Sequence, residues 1–144
     1  MAHFEQRRFI VDGKPRIVLS GEIHYFRLQR KDWIDRIQKA KRAGCNAIAS
    51  YIPWVYHQEV EDQLDLKTKE RDLGTFIDIC KEYDLWFIAR PGPFTMGEMI
   101  NEGIPDWIYT KHPEAIPTTW GGKKVTSKTL NYLHDGFLEE VEKW

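Results

Sequence analysis

The stretch Ala47-Ile48-Ala49-Ser50-Tyr51-Ile52, which ends at Pro53, decides the fold. It is short, almost wholly apolar and bounded by a proline, which is typical of a β-strand buried on both faces of a sheet. Residues 85–90 form a second run of this kind, which ends abruptly at the Pro-Gly-Pro of residues 91–93. Both runs predict strands of a parallel sheet, because such sheets are covered on both faces.

Amphipathic helices alternate with these strands. Apolar side chains recur at helical spacing through residues 33–43, with charged residues between them, and Gly44 supplies the stop. A second apolar stripe, at residues 73–83, follows a long polar loop at residues 58–72. Ahead of the first helix, residues 17–26 form a β-branched and aromatic run that predicts another buried strand. Alternation of this kind predicts βαβ units.

The two ends of the chain carry further signals. A polar turn at residues 12–15 predicts a hairpin ahead of the first βα unit. After residues 91–93 an irregular, proline-containing segment follows, and the chain closes on an amphipathic helix. The apolar stripe of that final helix consists of Leu130, Leu133, Phe137, Leu138, Val141 and Trp144.

Two architectures compete for this pattern, a doubly wound open sheet and a (β/α)8 barrel of the TIM type. A doubly wound sheet expects a glycine-rich phosphate loop after its first strand, where this sequence has His24-Tyr25-Phe26-Arg27. Barrel enzymes place their chemistry at the carboxyl ends of the strands, and charged and aromatic residues gather there in this sequence. These residues are Glu22, His24, Tyr25, Tyr51, Trp54 and Arg90.

We therefore predict an α/β fold of the (β/α)8 TIM-barrel type. A whole barrel takes about 250 residues, whereas residues 1–144 supply the first three βα units and a following helix. We expect an incomplete barrel, which is the N-terminal portion of a larger catalytic domain. Its open edge leaves strand hydrogen-bonding groups unpaired, so self-association through that edge is a further expectation.

Charge and composition narrow the range of partners. The formal net charge is -1, from 21 Lys+Arg and 22 Asp+Glu, so the chain lacks the clustered positive charge of a nucleic-acid or anionic-membrane binder. Aromatic residues make up 13%, a supply that fits a packed core, a stacking surface for sugars, or both. Cys45 and Cys80 show no metal-ligand spacing, and the sequence predicts neither a metal nor another cofactor. With no signal peptide in view, we expect a cytoplasmic protein.

Three segments in order carry a resemblance to a known family. They are SGEIHYFR at residues 20–27, YIPWVYH at residues 51–57 and RPGPFTMGE at residues 90–98. Together with the GIPDW of residues 103–107, they resemble glycoside hydrolase family 35, the β-galactosidase family. The likeness covers most of residues 4–108.

The resemblance implies a retaining hydrolase of terminal β-D-galactosides. Two glutamates about 5 Å apart perform that chemistry as acid/base and nucleophile, and in the family they follow the fourth and seventh barrel strands. We expect both beyond Trp144, so this chain is expected to hold no catalytic residue and to be inert alone. The Asn101-Glu102 pair imitates the family's Asn-Glu, but its position after the third strand predicts a loop.

The resemblance also implies substrate-binding residues within the chain. Tyr51 and Glu98 match the family's galactose-contacting tyrosine and glutamate, and a phenol and a carboxylate both orient sugar hydroxyls well. Met96 and Gly97 occupy adjoining substrate-binding positions, where the family usually has Cys or Asn and then Ala. Because of these departures the preferred sugar stays open, and a glucoside or glucosaminide remains an alternative.

Four further residues are expected to support that site. His24 and Tyr25 pack and form hydrogen bonds beneath it, and Trp54 either stacks on a sugar or, as we favour, packs in the core. Arg90 either holds a catalytic carboxylate ionised or forms an ion pair at the rim of the barrel.

Two other functions are compatible with the sequence. One is a non-catalytic carbohydrate-binding or assembly module, in which open sheet edges pair between chains. The other is a metal-dependent barrel hydrolase that uses Glu22, His24, His57 and Glu98 as ligands. In every reading the expected partner is a small carbohydrate, without nucleic acid or membrane.

Overall fold

The computed structural model describes residues 2–125 and 129–144. The chain begins with an antiparallel sheet of three strands, β1 (Ala2–Glu5), β2 (Arg8–Val11) and β3 (Lys14–Arg16), in that order. Asp12 and Gly13 join β2 to β3 with φ values of 49° and 73°, the left-handed pair that a tight hairpin turn requires. The predicted hairpin is confirmed, whereas β1 was not predicted.

A parallel sheet follows, made of β4 (Ser20–Glu22), β5 (Ala47–Ile52) and β6 (Trp86–Pro91). Strand β5 lies in the middle and is largely buried, as its apolar sequence predicted. The register sets Glu22 opposite Ala49 and Tyr51 opposite Arg90, so the carboxyl ends of the strands meet at one edge.

The first of these strands is much shorter than predicted. Residues 17–26 do not form one strand: β4 is confined to Ser20–Glu22, and the last ladder-like hydrogen bond runs from the Ile23 amide to the Ala49 carbonyl. The chain then turns through short 3₁₀ segments at Tyr25–Arg27 and Arg30–Asp32. The apolar residues that follow β4 lead into the core, where Tyr25 is fully buried.

The helices are α1 (Trp33–Arg42), α2 (Trp54–His57), α3 (Leu73–Glu82), α4 (Asp106–Lys111) and α5 (Asp135–Lys143). Helices α1 and α3 match the sequence prediction, and neither α2 nor α4 was predicted. The final helix begins five residues later than its apolar stripe indicated. Leu130 is buried ahead of the helix and Leu133 is exposed, so neither belongs to its packing face.

Two apolar cores hold these elements together. The first lies between the parallel sheet and helices α1 and α3 and contains Tyr25, Trp33, Ile37, Ile48, Phe76, Cys80 and Leu85. The second joins α2, α4 and α5 and contains Trp54, Ile104, Ile108, Tyr109, Ala115, Leu130 and Phe137.

The described residues form a mixed α/β structure without a closed barrel. Strands β4, β5 and β6 are adjacent in chain order, and α1 contacts α3. Consecutive strand order is typical of barrel βα units, whereas a doubly wound sheet reverses its order. Within residues 2–125 and 129–144, β4 and β6 each leave one side unpaired. No helix in these ranges is long and apolar enough to cross a membrane.

Candidate functional site

An arginine links all three parallel strands at their carboxyl ends. Arg90 on β6 donates from Nη1 to Glu22 Oε1 on β4, at 2.6 Å, and from Nη2 to the Tyr51 hydroxyl on β5. Its guanidinium carbon also lies 3.7 Å from the centroid of the Tyr51 ring. This arrangement fixes the orientation of Tyr51, and it is the rim ion pair that was one of the two predictions for Arg90.

His24 lies beside this link. Its ring stacks between Phe26 and Tyr51, with centroid separations of 5.2 Å and 5.5 Å. Its Nε2 is 3.4 Å from Glu22 Oε1, and its Nδ1 is buried without a hydrogen-bond partner among the described residues. Burial lowers the pKa of His24, although the Glu22 carboxylate opposes that shift. A neutral imidazole therefore packs against Tyr51.

Tyr25 and His57 form a buried pair farther into the core. The Tyr25 hydroxyl is 2.5 Å from His57 Nε2, and His57 Nδ1 is 2.7 Å from the Asp65 carbonyl. A carbonyl only accepts, so Nδ1 carries the hydrogen and Nε2 accepts from the tyrosine. Burial raises the pKa of Tyr25 and lowers that of His57. Both side chains are engaged in structural hydrogen bonds.

The loop after β6 rests on Tyr51. A Cβ added to Gly97 would lie 3.7 Å from the Tyr51 ring, so this loop packs directly on the tyrosine. Arg27 donates to the Gly97 carbonyl, and the Thr95 amide donates to the Glu102 carbonyl at 2.6 Å. The first bond ties the loop to the segment after β4, and the second closes the loop on itself.

Glu98 projects from this loop with its backbone in the left-handed region, at a φ of 49°. Its side chain is exposed and forms no hydrogen bond or ion pair with other residues in the described ranges. It lines a pocket of about 260 Å³. The other lining residues are Phe94, Thr95, Met96, Gly97, Met99 and Glu102.

The structure thus brings together the four predicted substrate-binding residues, Tyr51, Met96, Gly97 and Glu98, at the carboxyl edge of the sheet. Trp54 lies elsewhere: it is fully buried in the second core, stacks on Trp144 at 5.9 Å and donates to Gln58 Oε1 at 2.8 Å. Its stacking role on a sugar has no exposed surface to act through.

Arg27 and Glu102 are among the residues near the site that sequence reasoning missed. Arg27 belongs to the segment at residues 20–27, but nothing local indicates that it reaches a loop 70 residues away. Glu102 was predicted as a loop residue, and it is one, but it also lines the pocket. Arg27 was missed because its contact joins distant parts of the chain, and Glu102 was missed because the turn that brings it back to residues 94–99 has no sequence signal.

The ligand set of the metal-dependent alternative is not assembled. Among the described residues no group of three or more His, Cys, Asp and Glu side chains is placed to hold a metal ion. His57 uses both ring nitrogens in hydrogen bonds, to Tyr25 and to Asp65. The geometry therefore gives this alternative no support.

This chain is similar in sequence to known proteins. Residues 8–133 match the model of a family described as glycosyl hydrolases family 35. A β-1,2-glucosyltransferase of Ignavibacterium album is 36% identical over 99% of this chain and 20% of that protein. A β-galactosidase of Mus musculus is 41% identical over 98% of the chain and 20% of that protein. An exo-β-D-glucosaminidase of Thermococcus kodakarensis is 33% identical over 98% of the chain and 19% of that protein.

The chain spans about one fifth of the length of these curated relatives. Among solved structures, the β-galactosidase from the psychrophilic Marinomonas ef1 matches with a TM-score of 0.69 at 15% identity. The match covers 88% of this chain and 18% of that one. At this identity the likeness shows a shared fold.

Proposed function

The chain belongs to glycosyl hydrolases family 35, which confirms the resemblance seen in its sequence, and from this premise we propose that it forms the sugar-binding part of a β-galactosidase-like glycosidase. The full-length protein would hydrolyse terminal β-D-galactosides with retention of configuration. In this proposal the chain is the N-terminal portion of a (β/α)8 catalytic domain. Family membership supports the glycosidase class. The preference for galactose and the retention of configuration are proposed beyond it.

The exposed carboxylate of Glu98 is the observation that carries this proposal. It has no partner among the described residues and lies next to Gly97, which packs on Tyr51. A free carboxylate accepts strong hydrogen bonds from sugar hydroxyls. The Tyr51 hydroxyl accepts from Arg90, so its own hydrogen stays available for a sugar oxygen. In this proposal Glu98 offers an acceptor in the pocket, and the hydroxyl of the buried Tyr51 beneath Gly97 would add a donor.

The chemical step is assigned to residues outside this chain. Glu22 is held by Arg90 at 2.6 Å, so this carboxylate is already engaged in an ion pair. We expect the acid/base and the nucleophile on strands that complete the barrel, with their carboxyls about 5 Å apart. The 144-residue chain would then bind sugar without cleaving a glycosidic bond.

Hydrolysis of p-nitrophenyl β-D-galactoside tests this division of roles. The 144-residue chain, its length confirmed by intact mass, should release no nitrophenol above a buffer blank. The full-length protein should release it, with the β-anomer of galactose as the first product by NMR. Turnover by the short chain that disappears in Glu98→Gln would overturn the assignment, because a catalytic carboxylate would then lie within residues 1–144.

A β-glucosaminide is the second candidate substrate. Glu98 and Glu102 line the same pocket, and its lining contains no Lys or Arg, so an ammonium group would find carboxylates there. Relatives named exo-β-D-glucosaminidase match the chain at 33% and 35% identity. Methyl β-D-glucosaminide binding tighter than methyl β-D-galactoside, with the difference removed by Glu102→Gln, would favour this candidate.

Other expectations remain predictions. The non-catalytic binding or assembly module would use the free sides of β4 and β6 within the described ranges. The cytoplasmic location and the lack of nucleic-acid and membrane partners are still expectations from the sequence.

A further inference from the structure

Resting on the proposed function, we propose that Phe94 and Tyr132 form a subsite for the aglycone, and that this aglycone is a second sugar ring. The preferred substrates are then β-linked oligosaccharides. A sugar ring has an apolar face that stacks on aromatic side chains and a rim of hydroxyls that needs polar partners. The surface beside the pocket offers both.

The aromatic surface is held from behind and open in front. The rings of Phe94 and Tyr132 meet edge to face, with centroids 6.0 Å apart and an interplanar angle of 79°. Tyr132 rests on Phe137 at 5.7 Å, and Phe137 is buried in the second core. Phe94 and Tyr132 are each 39% exposed. A ring on this surface would thus meet a fixed platform.

This aromatic surface is continuous with the candidate sugar pocket. Phe94 lines the same pocket as Glu98. Glu102 lines it too, and the Tyr132 hydroxyl donates to Glu102 Oε2 at 3.2 Å. A terminal sugar held by Glu98 therefore places its neighbouring ring within reach of both aromatic side chains.

The backbone beside the pocket positions the polar partner, which is the Glu102 carboxylate. Asn101 and Glu102 both adopt the left-handed conformation, with φ values of 50° and 55°, which a side chain with a Cβ disfavours. The turn is kept by the Thr95 amide, which donates to the Glu102 carbonyl at 2.6 Å, and by an Asn101 side-chain bond to Asp106 at 2.7 Å. It keeps the Glu102 carboxylate next to Tyr132, where a hydroxyl of the second sugar can donate to it.

Ligand-observed NMR titration of the 144-residue chain tests the subsite with two probes, methyl β-D-galactoside and lactose. The wild-type chain should bind lactose about fivefold more tightly than the methyl glycoside, the gain expected of one aromatic stacking contact. Phe94→Ala should bring that ratio to about one. Tyr132→Phe, which keeps the ring and removes its hydroxyl, should lower the ratio in part. Trp120→Ala is the matched control, because Trp120 is a fully exposed aromatic that does not line the pocket.

The results of this titration separate a failure of the subsite from a failure of the proposed function. Equal affinities for the two probes in the wild type, or a ratio that Phe94→Ala leaves unchanged, would overturn the subsite and leave the proposed function standing. If the wild-type chain binds neither probe, the proposed function is overturned and the subsite with it. Should Phe94→Ala lose its far-UV circular dichroism signal, an unchanged ratio in Tyr132→Leu would overturn the subsite in its place.

Discussion

Arg90 links the carboxyl ends of the three parallel strands, because its guanidinium donates to both Glu22 and Tyr51. The ion pair is partly exposed, so solvent screens much of its strength. Arg90→Gln should lower the free energy of unfolding by about 1 kcal/mol in urea titration. Lys39→Gln, which breaks an exposed pair with Asp35, should change it by about 0.3 kcal/mol. Equal effects of the two substitutions would contradict this role of Arg90.

A second residue-scale prediction concerns the turn that carries Glu102. Gly103 has a φ of 90°, and a Cβ added there would lie 2.6 Å from Thr95 Oγ1 and 2.8 Å from Thr95 Cβ. Gly44 has a similar φ of 94°, with nothing within 4 Å of its added Cβ. Gly44→Ala should therefore show the backbone term alone, about 1 kcal/mol, and Gly103→Ala should lose about 2 kcal/mol more from the clash. Thermal unfolding of both variants measures the difference, and equal losses would exclude the clash.

At the residue scale the sequence suggested candidate residues for the site, but it did not predict the contacts between them. Tyr51 and Glu98 were predicted from the family resemblance of the segments to which they belong, and their sugar contacts stay a prediction. Their proximity depends on the register of β5 and β6 and on Gly97 packing against the tyrosine. Trp54 shows the limit: core packing was favoured for it over a sugar platform, but only its burial excludes the sugar platform.

At the scale of elements, His57 connects α2 to the polar loop at residues 58–72 through the Asp65 carbonyl. Burial holds the pKa of His57 below its ordinary value of about 6.5, and nearby Arg71 adds to that shift. The folded state then binds fewer protons than the unfolded state, so stability is fully present above pH 6.5 and is lost as the pH falls below it. The lowered pKa of His24 acts in the same direction.

The melting temperature should therefore fall as the pH is lowered from 7.5 to 5.5. His57→Gln should melt lower at pH 7.5, because it disturbs the buried bonds to Tyr25 and Asp65, but with a shallower dependence on pH. Differential scanning calorimetry at several pH values measures both slopes. A slope that the substitution leaves unchanged would show that another group is responsible.

The sequence predicted those helices well that pack with one apolar face against a single core. Helices α1 and α3 were found because their apolar stripes face a single core. Residues 17–26 were assigned to a strand because β-branched and aromatic residues favour one, yet Tyr25 is drawn out of the sheet to meet His57. The start of α5 was misplaced because Leu130 packs in the second core but lies ahead of the helix.

At the scale of the whole molecule, the parallel sheet has free sides on β4 and β6 within the described ranges. Ile88 on β6 is 39% exposed, and exposed apolar strand edges pair with other chains. The 144-residue chain should self-associate in sedimentation velocity at high concentration, and Ile88→Lys should weaken that association about tenfold. Ile34→Lys, on an exposed position of α1, is the control. Association that Ile88→Lys leaves intact would exclude this edge.

The architecture itself was predictable only in part. The first three βα units of a (β/α)8 barrel have parallel strands in consecutive order and neighbouring helices in contact. The strand order β4-β5-β6 and the contact of α1 with α3 agree with this. The antiparallel strand β1 was missed because His3-Phe4-Glu5 has too few residues for a period to show. The second core could not be predicted either, since it is assembled from α2, α4 and α5, which are far apart in the chain.

The central claim is that residues 1–144 bind a terminal sugar through Glu98. Its most direct test is a titration of the wild-type chain and Glu98→Gln with methyl β-D-galactoside, followed by ligand-observed NMR. We predict saturable binding by the wild type, weakened about tenfold or more in Glu98→Gln, as expected when a charged hydrogen-bond acceptor is lost. Glu139→Gln, on the exposed face of α5, should bind as the wild type does. Equal binding by the wild type and Glu98→Gln, or no binding by the folded wild-type chain, would contradict the claim.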